Sequence, residues 1–121
     1  MRLHEAGIRP LDWPALRERD ACAAAGDFSA PVFRYAKQFA AADDSVIGAL
    51  YGDLLCPAVL RTYLEAVAAT GATFRYTPEG ISEGLCRAKR PVYVTAAGGS
   101  IGDHHYGSEY VRALTRNFYG I

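Results

Sequence analysis

The chain has 121 residues, with thirteen basic and thirteen acidic side chains and a formal net charge of zero. That length admits one domain, residues 1–121, and the balanced charge leaves no basic footprint for nucleic acid or an anionic membrane surface. Half the residues are apolar, but 21 are alanine and Leu, Ile, Val and Phe together supply 27, so the core is expected to be thin.

In chain order, Asp12 caps a helix that enters at Trp13-Pro14 and runs through a charged surface stretch toward Gly26. From Ser29 to Asp43, Val32, Phe33, Ala36, Phe39 and Ala40 recur at spacings of three and four, which predicts a helix with one buried stripe. Val46 to Tyr51 is a continuous apolar segment between Asp43-Asp44-Ser45 and Gly52-Asp53, the pattern of a parallel strand covered on both faces. Pro57 opens a further helix, with Val59, Leu60, Tyr63, Leu64 and Val67 as its stripe and Gly71 as its stop.

The stretch from Ala72 to Arg87 reads as an extended arm followed by a turn at Pro78-Glu79-Gly80, too polar to be core. Pro91 to Ala96 is a second buried strand, entered at proline and broken by Gly98-Gly99. A loop through Gly107 follows, then a short helix carrying Tyr110, Val111, Leu114 and Phe118 on one face.

No uncharged apolar run reaches the roughly 18 residues of a membrane span, because Asp53 interrupts the stretch from Ser45 to Leu60. The charged start Met1-Arg2-Leu3-His4-Glu5 does not resemble an export signal, so a cytoplasmic location is expected. Cys22, Cys56 and Cys86 are odd in number and widely spaced, and they read as reduced thiols rather than a disulfide framework or a zinc site.

Strand, helix and strand in this order imply a parallel sheet with ligands at the carboxyl ends of the strands. Two loops are therefore singled out, Tyr51-Gly52-Asp53-Leu54 and Ala96-Ala97-Gly98-Gly99. Gly98, Ser100 and Gly102 also match the G-x-S-x-G elbow of serine hydrolases, but no histidine follows Asp103-His104-His105, and that reading fails in context. Adjacent His104 and His105 point in different directions in an extended loop and do not share a metal ion; they are solvated loop residues or groups that hold a proton or anion beside a ligand. Cys56 reads as a bystander thiol, and Tyr76 as a surface, dimer or substrate contact.

Four segments carry a resemblance to a known family: Asp53-Leu54 with Pro57-Ala58-Val59-Leu60 and Tyr63; Thr73-Phe74-Arg75-Tyr76-Thr77; Glu83-Gly84-Leu85; and Gly98-Gly99. Together they resemble the flavodoxin-like NAD(P)H:quinone oxidoreductases and the related FMN-dependent azoreductases, more loosely from Arg2 to Ile121. The resemblance implies an α/β flavodoxin-like parallel-sheet sandwich. It implies that the FMN ring lies between the two loops, at Leu50, Tyr51, Gly52, Asp53 and Leu54 and at Ala96, Ala97, Gly98 and Gly99. It also implies NAD(P)H as cosubstrate, a quinone-like or azo acceptor, His104 or Tyr106 as the groups that stabilise charge beside the flavin, Tyr76 on the wall of the substrate pocket, and a homodimer. No metal is implied.

Similar proteins begin with a strand and a Ser-rich loop that holds the FMN phosphate and end with a further strand and helix. The sequence is expected to lack both the first and the last strand of that pattern, leaving two neighbouring central strands with unpaired outer edges. The alternative expectation is a noncatalytic fragment that acts only through association with another chain.

Overall fold

The computed structural model describes residues 1–121. Asp12 caps helix α1 (Trp13–Ala24) as its position requires, its Oδ1 accepting from the Ala15 amide at 2.9 Å. No residue of α1 is buried, in keeping with its charged sequence. Helix α2 (Arg34–Ala41) follows a 3-10 turn at Pro31–Phe33. Phe33, Ala36 and Phe39 form the buried stripe that their spacing predicts.

Strand β1 (Ser45–Leu50) leads through a loop into α3 (Ala58–Val67), which buries Leu60, Tyr63, Leu64, Ala66 and Val67. Strand β4 (Pro91–Ala96) pairs with β1 in parallel, in register from Ser45 with Pro91 to Leu50 with Ala96. Helix α4 (Tyr106–Leu114) closes on the same face of the sheet and ends in a π-helical turn at Thr115–Tyr119. The wider turn seats Tyr119 in the core, where its ring lies edge-on to Phe39 at 5.4 Å and its hydroxyl donates to the Leu64 carbonyl at 3.4 Å.

Two expectations from the sequence are corrected. The strands are covered on one face only. Ser45 and Ile47 are buried, whereas Val46 and Leu50 are each 69% exposed and Val94 is 55% exposed. A continuous apolar run has no inward and outward alternation to reveal this, so the sequence pattern alone marks both faces as covered.

The segment after Gly71 is not a surface arm. It forms a hairpin of β2 (Phe74–Tyr76) and β3 (Ser82–Gly84), and its base is core, with Thr73, Phe74 and Cys86 buried. Thr73 is tolerated there because its hydroxyl donates to the Val67 carbonyl at 2.8 Å and accepts from the Ala69 amide at 3.2 Å. The thin core is observed: 20 of the 121 residues are buried. No helix is long and apolar enough to cross a membrane.

Candidate functional site

The parallel pairing of β1 and β4 brings their carboxyl ends side by side. One residue past the last register pair, the Tyr51 amide donates to the Ala96 carbonyl at 2.9 Å. The two predicted loops, residues 50–54 and 96–99, therefore diverge from a single point.

The first loop is a tight pinch. Gly52 and Leu55 exchange backbone hydrogen bonds, with the Leu55 amide on the Gly52 carbonyl at 2.9 Å and the Gly52 amide on the Leu55 carbonyl at 3.3 Å. The pinch forces Asp53 and Leu54 to its tip with φ of 51° and 65°, a left-handed conformation that costs a residue with a side chain of order 1 kcal/mol. Their amides donate to no other backbone group, and neither do those of Gly98 and Gly99. A Cβ built at Gly52, Gly98 or Gly99 would meet nothing within 4 Å, so a flat group can approach the backbone at all three. Four free N–H donors beside unobstructed backbone suit the acceptor edge of a planar heterocycle.

Helix α4 reaches the first loop through Gly107, where a Cβ would lie 3.1 Å from the Cys56 nitrogen, the Leu55 carbonyl carbon and the Tyr93 hydroxyl. The close approach is eased by glycine, since a Cβ there would require those neighbours to give by a few tenths of an ångström. It sets His104 and Tyr106 on the exposed rim beside the loop, with the His104 ring nitrogen Nδ1 and the Tyr106 hydroxyl 3.4 Å apart.

Between the first loop and the start of α3 lies a cavity of about 300 Å³, floored by Cys56 and Pro57 and edged by Arg61. Gly98 and Gly99 are exposed and do not line this cavity. Burial pushes the Cys56 thiol up, against smaller downward pulls from its backbone hydrogen bond and from Arg61, so Cys56 is not an activated nucleophile. Arg61 was not singled out from the sequence. The available signal was its place one helical turn after Pro57, on the side of α3 that faces the loop.

Tyr76 is not brought to these loops. Helix α3 carries the chain about 15 Å away from them over its ten residues before the hairpin begins. At that far end the Tyr76 ring stands edge-on to Phe74, which in turn packs on Phe118.

A sequence model of the family described as "Flavodoxin-like fold" matches residues 2–121. Among curated proteins, the chain is 39% identical over 95 residues to FMN-dependent NADH:quinone oxidoreductase 2 of Clostridium acetobutylicum, covering 74% of this chain and 46% of that one. It is 41% identical over 90 residues to the FMN-dependent NADH:quinone oxidoreductase of Lachnoclostridium phytofermentans, covering 73% and 44%. Among solved structures, an azoreductase from Bacillus anthracis superposes with a TM-score of 0.79 at 26% identity, over 98% of this chain and 62% of that chain. The chain thus spans less than half the length of the curated relatives that it matches.

Proposed function

We propose, since this chain belongs to the flavodoxin-like fold family, that it carries the ring-binding half of an FMN-dependent oxidoreductase acting between NAD(P)H and a quinone-like or azo acceptor. The observation that carries this reading is the pair of loops tied together by the Tyr51 amide and the Ala96 carbonyl, with four unpaired amides and open glycine backbone. The names of the curated relatives give FMN-dependent NADH:quinone oxidoreduction for those proteins. When bound, FMN supplies a group that accepts hydride from NAD(P)H and passes it to the acceptor.

The chain's own part is positioning. Amides of Asp53, Leu54, Gly98 and Gly99 hold the polar edge of the ring and favour negative charge there. Leu50, Tyr51, Gly52, Ala96 and Ala97 set the spacing of the two loops. Asp53 is exposed, so its carboxylate stays hydrated instead of being pressed, desolvated, against an electron-rich ring. His104 and Tyr106, whose polar atoms are 3.4 Å apart, are assigned the role of offering a hydrogen bond or a proton to an acceptor on the open side. Tyr76 lies past the end of α3 that is remote from these loops, so its role as a substrate contact is assigned to the site of a second copy, in a homodimer.

The test is to purify the chain with excess FMN and follow flavin fluorescence and NADH oxidation with a soluble quinone. Quenched, bound flavin and quinone-dependent oxidation of NADH are expected. A colourless protein that leaves FMN fluorescence unchanged overturns the proposal.

A second reading, association with another polypeptide in place of catalysis alone, is favoured by the bare sheet face. Val46, Leu50, Val92 and Val94 form one exposed apolar patch across the two strands. Sedimentation of the purified chain tests it: a monomer at high concentration in the absence of any partner, with no loss of structure, speaks against it.

A further inference from the structure

The cavity of about 300 Å³ between the first loop and α3 has a side that the positioning of the flavin does not use. Leu55, Cys56, Pro57 and Arg61 line it there, and Tyr51, Gly52 and Asp53 of the first loop line it opposite. A molecule anchored in this cavity therefore lies against the same loop as the flavin edge. The size is at the lower end of small-molecule pockets, and the wall is mainly apolar, as such pockets are.

The polar groups on this wall are few and lack partners. Arg61 is the one cation of the lining and takes part in none of the four ion pairs of the chain. Asp53, the one carboxylate of the lining, forms no ion pair with it, and neither does Glu65, one turn further along α3. Arg61 also closes the first turn of α3, where the aligned peptide dipoles oppose a cation and favour an anion. An anion brought to the guanidinium from outside the chain is thus attracted by both. A second donor lies on the floor of the cavity. Cys56 is 6% exposed and its thiol donates to no acceptor in the chain, whereas the thiol of Cys86, exposed by 7%, donates to the Thr73 carbonyl at 3.6 Å. An acceptor oxygen entering the cavity completes Cys56.

We propose that Arg61 determines which acceptors this site prefers: quinone-like rings that carry a carboxylate or sulfonate, with the anionic substituent held in the cavity by the Arg61 guanidinium and the ring against the Tyr51 to Asp53 loop. This deepens the oxidoreductase reading and rests on it for the ligand's role as acceptor, but the binding itself requires no flavin. Arginine suits the task, because its planar fork meets two oxygens of one substituent at once. The thiol of Cys56 offers the weaker second hydrogen bond, and Leu55 and Pro57 pack against the carbon atoms that join substituent to ring.

The test follows amide shifts of the isotopically labelled whole chain, titrated with anthraquinone-2-carboxylate and with the uncharged anthraquinone-2-carboxamide, which share one shape and do not alkylate thiols. The carboxylate is expected to bind about fivefold more tightly than the carboxamide, as one exposed charged contact gives. Shifts are expected in Tyr51 to Asp53 and in Ala58 to Arg61. Arg61→Gln is expected to bring the two affinities together, and Arg61→Lys to keep most of the difference. Arg61 is exposed, so both variants keep the fold, which circular dichroism checks. With FMN and NADH present, the same preference is expected in KM and not in kcat.

Equal affinities in the parent chain overturn the proposal, and so does a preference that survives in Arg61→Gln. Shifts confined to Arg112 and Arg116 in the last helical segment mean that other cations attract the carboxylate, and they overturn it as well. If FMN displaces the carboxylate from the Tyr51 to Asp53 and Ala58 to Arg61 amides, the cavity is the flavin's own and the proposal falls. A chain that keeps the preference but leaves FMN fluorescence unchanged defeats the acceptor role together with the flavin reading, with anion binding at Arg61 intact.

Discussion

The Tyr51 amide and the Ala96 carbonyl, 2.9 Å apart, extend the β1 and β4 ladder by one bond beyond its last register pair. That bond sets where the two loops part, and at Gly52, Gly98 and Gly99 the backbone faces open space with no side chain in the way. A planar ligand there is recognised through its edge and face, so the loops are sensitive to added volume and indifferent to most changes of charge.

Gly52→Val and Gly98→Val are therefore expected to weaken FMN binding about tenfold, read by quenching of flavin fluorescence. Each new side chain enters open space, so the thermal midpoint should stay within a few degrees of the parent. A lost fold, or unchanged flavin affinity in both variants, contradicts the expectation.

Leu54 tests whether the pinch stores strain. Its φ of 65° is unfavourable for leucine and free for glycine, so Leu54→Gly should raise unfolding stability by about 0.5–1 kcal/mol in urea titration. The same change loosens the loop tip, and flavin affinity should fall as stability rises. Opposite signs for the two measurements are the signature of a strained, pre-organised site.

The hairpin is anchored where two backbones touch. A Cβ on Gly84 would collide with the backbone of Tyr119 and Gly120 at the π-helical turn, and backbone has no rotamer with which to move aside. Gly84→Ala is expected to cost about 2–3 kcal/mol or more, measured from the urea midpoint. Thr73→Val removes a satisfied buried hydroxyl from the base of the same hairpin and should cost about 1–2 kcal/mol.

Alkaline pH should destabilise the fold in a defined window. Burial pushes the Cys86 thiol up from 9.0 to about 11 and the Tyr63 hydroxyl up from 10.0 to about 12, while an unfolded chain ionises both groups at their ordinary values. The unfolded state then holds fewer protons than the folded state, so this contribution is fully present below pH 9.0, falls as pH rises, and is gone above about 12. Urea midpoints measured from pH 8 to pH 11 should decline, and Cys86→Ala should remove the part of the decline that begins near pH 9.0. Identical pH profiles for parent and variant would exclude Cys86 as its source.

Local chemistry made several elements readable from the residues. Asp12 before Trp13-Pro14 is a cap whatever surrounds it, and Phe33, Ala36 and Phe39 share a face because helical spacing puts them there. The two glycine-bearing loops were legible for a related reason: a β-rich run that ends at Gly52 or Gly98 marks a strand's carboxyl end, and parallel pairing then brings such ends together. The buried base of the hairpin was not legible, because Thr73 looks polar until its hydroxyl is seen on the Val67 carbonyl. Tyr119 was missed because the π-helical turn shifts its phase out of the stripe marked by Val111 and Leu114.

By itself, the sequence determined which segments are helix and strand, the parallel sense of the sheet, and the two loops that hold the candidate site. These depend on periodicity, capping and turn chemistry, which act over a few residues. The tertiary structure decided which face of the sheet is covered and how Gly107 admits α4 to the loop. Those are outcomes of how elements far apart in the chain exclude water from one another, and no short window of residues records them.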